Sequence, residues 1–370
     1  MRRARRLLLG ILAALVLLIL LAAALSAWSN RDLPTASSVV DRLAPDEKAR
    51  VAEFLHLKQA LGDSVWPGWG QAGIPVLLYN ETNAFLISYS NPPAGWSLAA
   101  DERPIGEYYI QPAVHPQAFA VKVGDRWVGS MATMEWTRLS LMNQIRSDLP
   151  PFIQPIFPYR LVAPLYYSDW QIAALAHESF HAYQAEIAPD RFAAALASYH
   201  AESNYPWGQG VFKASWQEEL DVLAKGSHSK EKSDMVTDAR RFLGIRTQRR
   251  ESAQLTPEQI AYEQQIEWLE GLGKYVELTI WRAGDTTKDY SPVPAILAIP
   301  DFKRYAGYED RWNQELDQMR SQASREGDLR FYYTGMAQAR MLDRLMPDWK
   351  SRIMTPGVTL EGLLREAVIQ

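Results

Sequence analysis

Two histidines four residues apart are the side chains in this sequence whose spacing most clearly suggests chemistry. Residues 175–185 read LAHESFHAYQA, which places Glu178 between His177 and His181. On a helix, positions i and i+4 share one face, so both imidazoles can bind the same metal ion. A glutamate beside such an ion can accept a proton from the metal-bound water. The pattern therefore predicts a metal site with His177 and His181 as ligands and Glu178 as the general base.

These residues need a helix to position them. Ser168 and Gln171 have the spacing of a capping box, and Pro189 interrupts the pattern downstream. The sequence therefore predicts a helix from Ser168 to about Ile187, with both histidines on one face.

A second helix supplies candidates for a third ligand. Thr256, Pro257 and Gln259 predict its start, and it should continue to about Arg282, with Gly284 just past its end. Glu263, Glu267 and Glu270 share one face, which is unfavourable unless positive groups oppose them. Gly271 and Gly273 each cost about 1 kcal/mol relative to alanine in a helix, so another element should pack very close there.

The segments HESFH and WLEGLGKYVE (268–277) together resemble the gluzincin metallopeptidases, in particular the aminopeptidase-N-like group. In that group, a W-L-x-E-G-aromatic-small-x-Tyr segment supplies the third zinc ligand through its glutamate. The resemblance implies zinc as the cofactor and Glu270 as the third ligand. This chain differs in having one residue fewer before the glutamate and a longer separation, with Glu270 89 positions after His181. Glu267 remains the alternative, either as third ligand or as an acceptor that orients an imidazole.

Residues 129–136, GSMATMEW, are the candidate for a strand that binds extended substrate backbone by β-addition. Within them, Met134-Glu135 is similar to part of the Gly-x-Met-Glu-Asn segment of aminopeptidases, whose glutamate holds the substrate α-amine. Trp136 occupies the asparagine position and the glycine is displaced, so a plain strand end is the alternative.

The oxyanion of a tetrahedral intermediate needs a donor besides the metal. Residues 330–345, RFYYTGMAQARMLDRL, resemble a late helix that closes such sites, with Tyr332 and Tyr333 as candidates and Gly335 allowing close approach. We take Tyr333 as the catalytic donor and His200 as a second possibility; core packing is the alternative for each tyrosine.

The N-terminus predicts membrane attachment. After the basic tail 1–6, residues 7–27 contain no charge and would span the ~30 Å hydrocarbon core at about 1.5 Å per residue. The arginines before this stretch predict a single-pass anchor in the cell membrane, with the body on the extracytoplasmic side. Because AAALSAWS contains small residues, a cleaved signal peptide and a secreted body are the alternative.

Composition excludes several kinds of protein. The 370 residues include no cysteine, so disulfides and thiolate ligands are impossible and any metal must be held by histidine and carboxylate. The net charge is −4, and most of the chain is more acidic than that because the basic tail contributes positive charge, which argues against nucleic-acid binding. The run RRFLGIRTQRR (240–250) is interpreted as a solvated helix face.

The predicted fold class is α+β: a single N-terminal transmembrane helix, then a small β-containing part packed on a mainly α-helical, zincin-like metallopeptidase domain. A tether covers 28–48, an N-terminal α/β part with β-hairpins covers 49–150, and a helical zinc-binding catalytic part covers 151–370. The hairpins should turn near 80–83 and at Gly124-Asp125, and a helix should cover about Asp46 to Leu61.

The function expected from these observations is that of a membrane-anchored extracytoplasmic zinc metallopeptidase acting on a peptide or protein substrate. The alternatives are a zincin-fold scaffold without turnover, a zinc hydrolase of a non-peptide amide or ester, and a helical protein in which the His-Glu-x-x-His pattern is a coincidence. The sequence leaves the oligomeric state open.

Overall fold

The computed structural model describes residues 2–101, 105–114, 116–161, 166–207 and 210–369, and it has the predicted α+β class. The strands are β1 (Val76–Tyr79), β2 (Asn83–Ile87), β3 (Ser97–Leu98), β4 (Tyr108–Pro112), β5 (Phe119–Val123) and β6 (Arg126–Ala132). The helices are α1 (Arg2–Ser29), α2 (Pro45–Val65), α3 (Met134–Asp148), α4 (Ser168–Ile187), α5 (Pro189–Ser198), α6 (Gly210–His228), α7 (Lys232–Ser252), α8 (Pro257–Ile266), α9 (Leu272–Thr286), α10 (Pro294–Leu297), α11 (Tyr308–Ser321), α12 (Leu329–Leu345), α13 (Trp349–Arg352) and α14 (Leu360–Ala367).

The six strands form one mixed sheet in the order β3-β4-β2-β1-β6-β5. Both predicted hairpins are confirmed: β1 pairs antiparallel with β2, and β5 with β6. At the second hairpin, Gly124 adopts a φ of +60°, which a glycine tolerates without a Cβ penalty. The parallel pairing of β1 with β6 joins the two hairpins, so that β6 is interior and β5 forms an edge of the sheet among the described strands.

Helix α4 lies at the centre of the molecule, against β6 and β5 on one side and against α9 on another. Its bounds are those predicted, but its start is not a capping box. The hydroxyl of Ser168 donates to Asp301 and accepts from Arg50 at 2.9 Å, and Gln171 bonds to Glu47. Both side chains therefore join α4 to other elements and leave its first turn uncapped by side chains.

The second predicted helix is longer than expected. Its capping box is present, with Thr256 Oγ1 accepting from the Gln259 amide and the Gln259 side chain accepting from the Thr256 amide. Helix α8 continues through a π-helical segment, Glu267–Gly271, into α9, which ends at Thr286. The prediction that Gly284 lies past the end was wrong, because this glycine is inside α9, where a Cβ would lie 2.6 Å from the Tyr305 ring.

Helix α1 is long and apolar enough to cross a membrane. The qualifying stretch runs from Arg6 to Asp32, and 18 consecutive residues within it have a mean hydropathy of 3.1 and are not buried. The residues that follow are packed on the body of the protein. The hydroxyl and amide of Ser37 donate to Glu81, and those of Ser38 donate to Glu135.

Candidate metal centre

His177, His181 and Glu270 meet in the interior of the protein. The Nε2 atoms of His177 and His181 lie 3.3 and 3.1 Å from the same oxygen, Oε2 of Glu270. One donor atom from each residue lies within 4.8 Å of the other two, and all three residues are buried. Two imidazole nitrogens and one carboxylate oxygen are a ligand set that catalytic zinc sites use. This buried trio could therefore hold a metal ion.

Two glycines allow other helices to approach the α8–α9 helix closely: Gly273 faces α4, and Gly271 faces α12. A Cβ on Gly273 would lie 2.7 Å from Nε2 of His177, and a Cβ on Gly271 would lie 2.5 Å from the Cα of Gly335 on α12. The prediction that another element packs very close to these glycines is confirmed. Glu270 lies in the π-helical segment just before them, and such an insertion is frequent at functional sites.

The other nitrogen of each imidazole has its own acceptor. Nδ1 of His181 lies 2.9 Å from the Gln184 side-chain oxygen, and Nδ1 of His177 lies 3.4 Å from Glu277. The Gln184 amide nitrogen in turn donates to the Trp268 carbonyl. A proton held on Nδ1 in this way leaves the lone pair of Nε2 for a metal ion. The arrangement is thus the one that metal-binding histidines require.

The histidines and carboxylates of the cluster shift one another's pKa values. Burial lowers the pKa of His177, but Glu270 and Glu277 outweigh it and raise this pKa to about 10. Burial raises the pKa of Glu270, but His181 and His177 hold it well below its usual range. Without a metal ion, a proton on His177 balances the carboxylates, and a bound cation would take its place.

Glu178 lies next to the cluster and is only partly exposed. Its Oε2 atom is buried without a hydrogen-bond partner among the described residues. Burial is the main reason that the pKa of Glu178 is raised, although His177 and His181 lower it. An unpartnered carboxylate of raised basicity is suited to accept a proton.

Glu267, the alternative third ligand, points elsewhere. Its two carboxylate oxygens accept from Arg246 at 2.6 and 3.0 Å, and Oε1 also accepts from the Thr334 hydroxyl. The bidentate guanidinium occupies the carboxylate. Of the two candidates, Glu270 is the one that faces the histidines.

The interpretation of residues 240–250 as a solvated helix face was wrong for three of the arginines. Arg240 and Arg241 are exposed, whereas Arg246, Arg249 and Arg250 are buried. The buried guanidinium groups pair with carboxylates from α6, α8, the π-helical segment and α14, namely Glu219, Glu263, Glu267 and Glu361. We call these seven residues the arginine network.

For each predicted oxyanion donor, the residue that precedes it in the sequence is the one that lies against the trio. Burial, and then the nearby carboxylates of Glu315 and Glu277, raise the pKa of Tyr333. Its neighbour Tyr332 stacks on His177 with ring centroids 6.1 Å apart, and burial, followed by the nearby Glu270 carboxylate, raises the pKa of Tyr332. Likewise His200 is exposed, and its neighbour Tyr199 reaches Glu270 Oε1 at 3.4 Å. The structure thus places Tyr332 and Tyr199, and neither Tyr333 nor His200, against the trio.

Strand β5 lies along a cavity of about 600 Å³ that reaches Glu270 and Tyr199. Residues 117–122 form one wall, and Trp127 and Leu196 complete the lining. Residues 129–136 were predicted to be a strand that lines the cleft. They comprise the end of β6 and the start of α3, and β6 is paired with a strand on both sides, which leaves it no edge for a substrate backbone. Glu135 is in the first turn of α3, where Ser38 donates to both of its carboxylate oxygens.

No family model matches this chain, and neither a curated protein nor a solved structure shows significant similarity to it.

Proposed function

We propose that this protein is a membrane-anchored zinc metallopeptidase of gluzincin type, with its body on the extracytoplasmic side. The observation that supports it most is the convergence of the His177 and His181 Nε2 atoms on Oε2 of Glu270, with both Nδ1 atoms held by other side chains. That arrangement comes from two motifs far apart in the sequence, and both have counterparts in the aminopeptidase-N-like group.

His177, His181 and Glu270 would be the protein ligands of zinc. When bound, zinc would act as a Lewis acid that polarises the scissile carbonyl and lowers the pKa of a water molecule to near 7. Glu277 and Gln184 keep the two imidazoles in the orientation and tautomer that ligation needs. The Tyr199 hydroxyl lies 3.4 Å from Oε1 of Glu270 and 3.1 Å from Oδ2 of Asp328, whereas Oε2 of Glu270 is directed at the histidines.

Glu178 would move the proton. Its free Oε2 would accept a proton from the attacking water and then pass it to the leaving amine. Glu178 lies between the two histidines on α4, which keeps its carboxylate beside the reacting atoms.

Strand β5 would bind the peptide substrate. An edge strand has backbone donors and acceptors with no partner on one side, and an extended peptide can pair with them. Because the cavity along β5 continues to Glu270, a peptide added to this edge would bring a carbonyl group to the metal centre. Tyr332 and Tyr199 replace Tyr333 as the candidate donors to the oxyanion.

The test is peptide hydrolysis by the detergent-solubilised full chain. A library of peptides with free or acetylated N-termini, read by mass spectrometry, would reveal cleavage and also whether it needs an α-amine. We expect Glu178→Gln to retain zinc and to lose about 10²–10⁴-fold in rate. Glu186→Gln is the matched control, because Glu186 is exposed on the same helix.

Two results would contradict the proposal. One is equal cleavage by wild type and Glu178→Gln. The other is a zinc-loaded wild type that cleaves no peptide but hydrolyses aryl esters or non-peptide amides.

The tyrosines give a second test. Loss of an oxyanion donor typically lowers kcat by about 10²–10³-fold. We expect a loss of this size for Tyr332→Phe or Tyr199→Phe with zinc retained, and little change for Tyr333→Phe. Full activity in both of the first two variants would exclude them as donors.

A further inference from the structure

Exposed apolar side chains are concentrated where the chain leaves α1. Trp28 at the end of α1 is 68% exposed, and Phe152, Ile156 and Leu161 are 76%, 38% and 73% exposed. The last three belong to residues 149–161, which we call the interfacial segment. Large apolar groups clustered on a surface mark a contact with another apolar phase.

Hydrogen bonds hold the interfacial segment against the residues at the C-terminal end of α1. Asn30 donates from Nδ2 to the carbonyl oxygens of Pro155 and Phe157 at 2.9 and 2.8 Å. Arg160 donates to the carbonyl oxygens of Ser29 and Asp32 at 3.1 and 3.3 Å. These bonds hold the segment at the level of residues 29–32.

That level corresponds to the edge of a bilayer that α1 would span. Residues 7–27 match the ~30 Å hydrocarbon core, so Asn30 would lie within about one helical turn of its outer boundary. Trp28 would then be in the interfacial zone that tryptophan prefers. Ile156 lies between the two residues whose carbonyls Asn30 binds and would be at this depth, with Phe152 three residues before Pro155 in the same segment.

The charges at this level also suit a membrane surface. Arg31 and Arg146 line a cavity of about 300 Å³ together with Ala27, Asn30 and Gln154. Arg160 is exposed next to them. Cationic side chains beside apolar ones are typical of segments that lie at a bilayer surface containing anionic lipids.

We propose that the interfacial segment lies in the outer lipid–water interface and makes a second, monotopic contact with the membrane. Since Ser37 and Ser38 attach the residues after α1 to Glu81 and Glu135, the body cannot swing freely about the anchor. Together the two contacts hold the body in one orientation on the bilayer. This inference rests on the anchoring part of the proposed function and is independent of the peptidase activity.

The absence of native cysteine makes a direct test possible. Single cysteines at Phe152→Cys and Leu161→Cys in the full chain would be labelled with an environment-sensitive fluorophore and reconstituted in phosphatidylcholine–phosphatidylglycerol vesicles. Ile369→Cys is the matched control, because Ile369 is 79% exposed and lies beside α7, far in sequence from the segment. We expect a blue shift at positions 152 and 161, and loss of emission with lipids brominated near the headgroup. At position 369 we expect neither change.

Carbonate extraction of the same vesicles separates the two contacts. Chains that resist extraction while probes 152 and 161 behave like probe 369 would overturn the inference and leave the anchor intact. Release of the chains by carbonate would exclude both the transmembrane anchor and the second membrane contact. A disulfide between two copies of the unlabelled Phe152→Cys variant, without quenching of the labelled variant by lipid, would overturn the inference by showing that a second copy covers the segment.

Discussion

Two buried charge clusters contain glutamates from neighbouring turns of the α8–α9 helix. They differ in the kind of cation that faces these glutamates. In the arginine network, Glu263 and Glu267 are paired with guanidinium groups. One turn further along, Glu270 is paired with His177 and His181. A guanidinium keeps its charge and has only donors, whereas a neutral imidazole offers a lone pair. Glu263, Glu267 and Glu270 are close together in the sequence, yet different partners oppose them.

The difference indicates that the arginine network stabilises the fold, whereas the cluster around Glu270 could hold a metal ion. The carboxylates of the arginine network have lasting counter-charges and hydrogen bonds, so a metal ion would have nothing to neutralise there. Around Glu270 the counter-charge is a proton that can leave. Substitutions that alter one cluster and spare the other can therefore separate the two roles.

The largest effect is expected in the arginine network. Arg246→Met removes a guanidinium with no exposed side-chain surface and leaves Glu219 and Glu267 short of positive charge. Breaking a buried pair in this way typically costs about 3–5 kcal/mol in the free energy of unfolding. Urea unfolding of the detergent-solubilised full chain measures it.

Arg241→Met is the matched control, because its side chain is 61% exposed and its ion pair with Glu218 is on the surface. We expect a change within about 0.5 kcal/mol there. Equal effects of the two substitutions would contradict the structural role of the arginine network.

A smaller effect is expected for the group that orients His177. Glu277→Gln removes the carboxylate beside Nδ1, and loss of such a partner typically weakens metal affinity about 10–100-fold. Glu315→Gln is a matched control, because Glu315 shares Lys274 and Arg311 with Glu277 but pairs with no histidine. Competition with a chromophoric zinc chelator measures both. Unchanged affinity in Glu277→Gln would show that His177 does not depend on this carboxylate.

The smallest effects concern two glycines in helices. Gly271→Ala would push a Cβ against the backbone of Gly335, and overpacking of this kind costs about 1–3 kcal/mol. Gly244→Ala on α7 meets no atom within 4 Å and should stabilise the protein by up to about 1 kcal/mol. Thermal or urea unfolding gives both signs, and stabilisation by Gly271→Ala would contradict the close helix contact.

Structural features that depend on a local residue pattern could be predicted from the sequence. The end of α4 before Pro189, the capping box at Thr256 and both hairpin turns follow from residues within a few positions of each other. The start of α4 was predicted at the right residue, but from a capping box that does not form. The close approach at Gly271 and Gly273 was also predictable, since glycine in mid-helix needs a reason.

Features that depend on contacts between elements far apart in the sequence could not be predicted from it. Burial of Arg246 depends on carboxylates from other helices, and no local pattern in RRFLGIRTQRR shows them. The orientation of α12 about its axis decides between Tyr332 and Tyr333, and adjacent helical residues point in directions about 100° apart. The role of β5 as an edge depends on the parallel pairing of β1 with β6, which joins residues far apart in the chain.

The most direct test of the account is the zinc content of three full-length proteins: wild type, Glu270→Gln and Glu267→Gln. Both substitutions keep the side-chain shape, and near-ultraviolet circular dichroism would verify that each variant is folded. We expect about one zinc per chain in wild type and in Glu267→Gln, and loss of zinc in Glu270→Gln. A folded wild type without zinc, or full zinc in Glu270→Gln, would contradict it.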